Sequence, residues 1–328
     1  MLTITVVKEF VAMTKSPLTA AGRPRPRITR RNIKKNAGLY LLLAPAVILL
    51  VIFAYKPMYG VIIAFKSYRN STGILGSPWL DPWYANFTKF FNSFQFEATV
   101  FNTLRLSLYS LLAGFPLPIM LAMAVNQMNA RRFRRLFQTV TYLPHFISTV
   151  VMVGLILIML SPGSGLIGQV YGLFGSKAPN LMGSSGAFPH IYVWTDIWQH
   201  AGWDSIIYLA ALSAIDPTLY EAATVDGASR LQRIARIDLP LILPTACILL
   251  VLRAGNMMNV GFEKVYLMQN NLNAATSEII STYTYKIGII SAQYSYSTAI
   301  NLFNTLINLT LLMMVNYTTK RLNGSGLF

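Results

Sequence analysis

Apolar residues fall into six long stretches, approximately residues 38–65, 98–125, 136–160, 189–215, 241–260 and 298–315. At ~1.5 Å per helical residue, about 20 apolar residues cross ~30 Å of hydrocarbon, so each stretch predicts a membrane-crossing helix. The prediction is an all-α polytopic membrane protein with six transmembrane helices. Prolines 45, 57, 116 and 118 mark expected irregularities in the first two. The polar intervals differ in kind. Residues 66–97 carry Trp79, Trp83 and Tyr84, which suit a membrane interface, and 161–188 is rich in Gly, Ser and Pro, with one short helix expected near 167–173. Residues 261–297 read as a longer polar loop on the same side.

One polar insert has a pattern of its own. Asp216 can cap a helix that begins at Pro217, and Gly227 can end it in the left-handed conformation. Ser229 followed by Gln232 forms a capping box that starts a second short helix with Leu231, Ile234 and Ile237 on one face. Two short helices meeting at a glycine between apolar stretches predict a water-exposed knob over residues 216–240.

Composition supports membrane residence: 54% of residues are hydrophobic and only 12% charged. The net charge of +16 would suggest nucleic acid in a soluble chain, but its distribution gives another cause. Of 27 Lys and Arg, 18 lie in the N-terminal 37 residues, at 131–135, in the 216–240 insert and at Lys320 and Arg321, all on one side of a six-span arrangement; six lie on the other. That is the positive-inside pattern, with both termini cytoplasmic and no nucleic-acid partner required. The organisation expected is a basic cytoplasmic arm (1–37) touching anionic lipid headgroups, a six-helix domain (38–320) and a short tail (321–328). No cleavable signal is legible, and the single Cys247 reads as a small core residue.

The spaced string Glu221-Ala222-Ala223, then Asp226-Gly227-Ala228, then Leu239-Pro240 resembles the cytoplasmic coupling loop of ABC-importer permeases. Residues 259–265 (Asn-Val-Gly-Phe-Glu-Lys-Val), 281–285 (Ser-Thr-Tyr-Thr-Tyr) and 294–300 are similar to the oligosaccharide and polysaccharide branch of that family. The chain departs from many relatives at Leu231 and Ala235, where aromatics are common. The resemblance implies a type I binding-protein-dependent permease fold in the bacterial inner membrane. It also implies a second homologous permease, two ATP-binding subunits, and an extracytoplasmic solute-binding protein that delivers an oligosaccharide. Ala222, Ala223 and Ala228 would pack into an ATPase cleft, with Glu221 and Asp226 fixing the turn. An ATPase-independent carrier or channel is the alternative.

The chain's own chemistry is sparse. No phosphate-binding Gly-x-x-x-x-Gly-Lys-Ser/Thr loop occurs, so ATP and magnesium would bind to partner subunits and no cofactor is expected here. His145, His190 and His200 show no metal-ligand spacing, and no catalytic arrangement is legible. Polar groups at membrane depth carry the remaining signal. Arg253 falls about 18 Å from the start of the fifth stretch; Asp204 and His200 fall about 16 and 22 Å from the end of the fourth. An internal Arg253–Asp204 pair that ties two spans together and a cargo-facing charge both fit. Asn256 and Met257 would share the Arg253 face, and Asn301, Asn304 and Asn308 form a polar stripe in the sixth stretch that is either inter-helix glue or pathway wall. A free Arg253 would favour an acidic oligosaccharide.

Overall fold

The computed structural model describes residues 36–323, with side chains to residue 321; the basic arm and the tail therefore lie almost wholly outside the described residues. Among the described residues the regular elements are all helices, with one isolated antiparallel bridge between Lys66 and Trp79. The longer helices are α1 (Ala37–Phe65), α2 (Phe94–Asn126), α3 (Arg131–Tyr142), α4 (Thr149–Met159), α5 (Leu166–Leu173), α6 (Phe188–Ser213), α7 (Pro217–Val225), α8 (Arg230–Gly255) and α9 (Tyr294–Asn323). By length and composition α1, α2, α8 and α9 can cross a membrane, and α3 joined to α4 would add a fifth crossing. With 26 residues α6 is long enough too, but it carries Asp196, His200 and Asp204. Six spans are compatible with this set.

The described residues divide into two units, one up to Gly60 and one from Val61 on. In the first, Ala37–Leu50 is apolar all round and buries nothing, as suits a helix surrounded by hydrocarbon or by another subunit. In the second, α2 lies along α6 and α8 along α9. One core joins Leu106, Met152, Phe188 and Val193 to Val265 and Met268; a second joins Ile119, Ala122, Tyr208 and Ile242; a third joins Phe90, Met258, Ile280 and Ile300. Two glycines set close crossings. A Cβ on Gly202 would meet the Thr141 carbonyl oxygen, and one on Gly255 would meet Leu312.

Two prolines, Pro57 and Pro240, are absorbed by wide turns, whereas Pro45 sits within a regular helix and Pro116 and Pro118 open a new helical segment after a break at Phe115. Lys56 N–H reaches back to Val51 O just before Pro57, and Leu239 N–H reaches back to Ile234 O just before Pro240. Proline lacks a donor and collides with the carbonyl four residues earlier, so a π turn ahead of it lets the helix continue. The expected second short helix of the polar insert is consequently the first turns of α8, which runs 26 residues without a stop at Leu239-Pro240.

Three further expectations are corrected. The third apolar stretch is not one straight helix: α4 departs from the preceding helical segment by 99°, where Pro144 and the N-cap Ser148 interrupt the ladder. The fifth helix stops at Gly255 rather than near 260, and residues 256–261 are non-helical. Residues 261–297 are not a polar loop but a set of short helices, Phe262–Met268, Ala274–Ser277 and Ile280–Tyr285 among them, whose Val265, Ile279 and Ile280 are fully buried. Both breaks inside the bundle have their backbone satisfied by buried amides. Gln199 donates to Ile147 O at 2.8 Å, and Asn308 accepts from Met258 N–H at 2.9 Å. Irregular backbone at membrane depth requires such partners.

Candidate functional site

The polar insert builds as its capping residues dictate. Asp216 accepts from Thr218 N–H at 2.9 Å, and that bond holds its carboxyl below the usual value. α7 ends with Gly227 at φ +71°, Ala228 N–H bonding Ala223 O at 2.9 Å and Gly227 N–H bonding Thr224 O at 3.1 Å. These two backbone bonds are the Schellman arrangement, which closes the helix end without side chains. Neither Glu221 nor Asp226 gives the turn a side-chain bond, so its shape comes from backbone and glycine rather than from the two acidic residues. The Ser229–Gln232 capping box is present in both directions. Ala222 is exposed, while Ala223 and Ala228 are half-buried; Val225 and Leu231 are exposed apolar side chains at the tip. At the base, Leu239 and Pro240 are exposed on α8.

What anchors this knob escaped the sequence reading. Asp238, fully buried, accepts from the Tyr220 hydroxyl at 2.5 Å and from Gln127 Nε2 at 3.1 Å, tying α7, α8 and the end of α2 together. Burial, reinforced by Asp238, pushes the Tyr220 hydroxyl up to about 12. An Asp between the apolar Ile237 and Leu239, two residues before Pro240, was the available signal.

The second constellation is a cavity of about 360 Å³ bounded by α2, α6, the end of α8 and residues 256–261. His200, Asp204, Arg253, Asn256 and Met257 all line it. Arg253 donates through Nη2 to Asp204 Oδ2, each side chain about one-third exposed. The pair also lines a neighbouring cavity of about 340 Å³ with Ile207, Tyr208 and Leu252. Asn256 and Met257 reach the wall because α8 has ended, not because they share a helical face with Arg253. Ser107 and Ser110 of α2 also face the cavity, their buried hydroxyls lacking a protein partner.

The asparagine stripe divides. Asn304 and Asn308 are buried and hold residues 256–261, through Asn259 at 3.4 Å and Met258 N–H; Asn301 is exposed, and none of the three lines either of these two cavities. Two charged residues were missed. Asp196 completes an Asp196–His200–Asp204 row at spacing four on α6, a pattern legible in the sequence; it lies 3.3 Å from Lys264, which the sequence reading had placed in an outer loop. Lys264 is 4% exposed, and burial pushes its ammonium down while Asp196 opposes the shift.

The polygalacturonan/rhamnogalacturonan transport system permease protein YteP of Bacillus subtilis (strain 168) is 39% identical over 290 residues, 88% of this chain and 90% of that protein. Protein LplB of the same organism is 38% identical over 296 residues, 90% and 92% of the two chains. A chain in the crystal structure of a bacterial ABC transporter involved in the import of the acidic polysaccharide alginate is 40% identical with a TM-score of 0.83, covering 89% of this chain and 98% of its own. An equally similar chain, with 90% and 99% covered, comes from the bacterial alginate ABC transporter in complex with an alginate pentasaccharide-bound periplasmic protein. Residues 114–324, which contain the knob and most of the cavity wall, match one family model, and the chain belongs to that family: the inner membrane components of binding-protein-dependent transport systems.

Proposed function

We propose that this permease moves an acidic oligosaccharide across the inner membrane, receiving it from an extracytoplasmic binding protein. The observation that carries the reading is the 40% identity and TM-score of 0.83 to a membrane chain of the alginate importer, over nearly the whole chain. YteP points the same way, since polygalacturonan is a polymer of an acidic sugar. The site adds a physical reason. Arg253 has five N–H donors, gives one bond to Asp204, and faces a cavity walled by hydroxyl and amide groups. A guanidinium at membrane depth with donors to spare fits a passing carboxylate.

Energy would come from two ATP-binding subunits, which hold ATP and magnesium while this chain holds no cofactor, and a second homologous permease would complete the pathway. The knob would carry their motion: Ala222, Ala223 and Ala228 offer close approach, and the exposed Val225 and Leu231 offer apolar contact in a cleft. Both termini, the 131–135 cluster and the knob would then be cytoplasmic. Reconstitution in proteoliposomes tests the reading. Uptake of an oligouronate should require the binding protein, ATP and the ATPase subunits. Uptake at the same rate without the ATPase subunits would convert the chain into a carrier or channel and overturn it.

A further inference from the structure

Lys264 packs against the cavity wall without lining the cavity. Its Nζ points inward, 3.2 Å from Tyr192 O, 3.3 Å from Asp196 Oδ1 and 5.1 Å from the centre of the Tyr192 ring, and the residue is 4% exposed. Asp196 does line the cavity, its side chain 37% exposed. Its other neighbour is His200, whose Nδ1 lies 3.0 Å from the Asp196 carbonyl and 3.5 Å from the carboxylate. A carbonyl only accepts, so that ring nitrogen carries its proton.

The charges can then be balanced around the wall. Asp196 and Asp204 bring two carboxylates to the wall and Arg253 one guanidinium, paired with Asp204; Lys264, behind the wall, brings the second cation, 3.3 Å from Asp196 Oδ1. Without it the Asp196 carboxylate would face the cavity with no lysine or arginine partner. We infer that Lys264 is a specificity-determining positioning residue: it neutralises Asp196 from behind, so that the cavity admits an anionic sugar and leaves Arg253 as the cation the cargo meets. The inference rests on the acidic-cargo reading above. Asp196 would in turn keep Lys264 from binding cargo itself, confining carboxylate recognition to one point on the wall.

The competing role for Lys264 is a strap that fastens Phe262–Met268 to α6, and the two roles separate by charge. The complete transporter is reconstituted with a trigalacturonate and with its carboxyl-reduced counterpart, each at saturating binding protein, and the ratio of the two uptake rates is read. Lys264→Met should lower the acidic-to-reduced ratio by about tenfold or more, because an uncompensated carboxylate in a site of low dielectric repels another. The double variant Asp196→Asn with Lys264→Met, which has no charge on either side and no ionic strap, should return the ratio to within about threefold of the wild type. Lys264→Arg should keep it. Equal loss of both cargoes in Lys264→Met, or a double variant whose ratio stays as low as that of the single, would overturn the inference. Failure of Lys264→Met to assemble leaves the double variant to decide; failure of both to assemble would make Lys264 a strap. A wild-type transporter that prefers the carboxyl-reduced sugar would instead overturn the acidic-cargo reading itself.

Discussion

The knob and the cavity are held by bonds of different reach. In the knob the turn and caps are closed by partners two to five positions apart, Asp216 with Thr218, Ala223 with Ala228, Ser229 with Gln232; Arg233 to Thr224 and Tyr220 to Asp238 span nine and 18 positions, and the buried Asp238 carboxylate also fastens the whole to the end of α2. Around the cavity the bonds join distant segments: Arg253 to Asp204, Lys264 to Tyr192, Asn308 to Met258 and Asn304 to Asn259, 45 to 72 positions apart. A locally bonded element keeps its shape when its neighbours move. A cavity closed by long-range pairs changes whenever the helices bearing them shift. Under the proposed function, the first region would be pushed as a unit and the second would be altered by the push.

The strongest way to break this comparison is to destroy the knob's local geometry. Gly227 sits at φ +71°, which proline, fixed near −65°, cannot adopt. Gly227→Pro should leave the spans assembled and the ATPase active but reduce uptake by more than about tenfold, as should Ala223→Trp, whose side chain enlarges a half-buried contact face. Uptake against ATP hydrolysis measures coupling directly. Normal coupling in an assembled Gly227→Pro transporter would remove the knob from force transmission.

A somewhat smaller effect is expected at the anchor. Asp238→Leu leaves Gln127 without its acceptor and removes the partner of the Tyr220 hydroxyl, at a cost of about 1–3 kcal/mol for groups left unsatisfied. The knob should keep its shape but lose its attachment, seen as faster proteolysis at 216–230 together with partial uncoupling. Because Tyr220 is raised from 10.0 to about 12, its hydroxyl contribution is complete below pH 10 and is lost as pH rises towards 12. Coupling measured between pH 6 and 9 should therefore show no change attributable to this bond, and a Tyr220→Phe variant should follow the same profile as the wild type over that range.

Arg253→Gln sharpens the other side. Removal of the guanidinium should lower acidic-oligosaccharide uptake by about tenfold while a neutral sugar of the same length is much less affected, and ATP hydrolysis stays coupled. Equal losses for both sugars would make the Arg253–Asp204 pair a purely structural tie between α6 and α8. That result would leave the knob's role untouched.

The same division explains what the sequence disclosed. The capping residues, Gly227 and the limits of α5, α6 and α7 were legible because each depends on residues a few positions away. Lys264 was misplaced because polar composition at 261–297 resembles a loop, and only tertiary contact shows that Val265, Ile279 and Ile280 lie in the core beside it. The end of α8 at Gly255 was hidden for a related reason: the apolar run continues to 260, and the break is sustained by Asn308, 50 residues on from Met258. The 99° departure of α4 had a local signal in Pro144 and Ser148, but hydropathy alone reads through it.

The smallest effect should come from the capping box, and it tests whether the knob acts as a body or only through its turn. Ser229 Oγ accepts from Gln232 N–H at 3.3 Å, whereas Gln232 Oε1 accepts from Ser229 N–H at 2.7 Å, so the shorter bond does not depend on the hydroxyl. Ser229→Ala removes the longer bond only, at the low end of the ~0.5–2 kcal/mol that N-cap losses cost. α8 is also held from its other end by packing along α9 and by Asp238 at its first π turn, so fraying would stop within a turn. Uptake should fall by less than about twofold, with hydrolysis still coupled. If Ser229→Ala instead uncouples transport as strongly as Gly227→Pro, force enters through the start of α8 and not through the body formed by α7 and its turn, and the knob is two separately loaded helices.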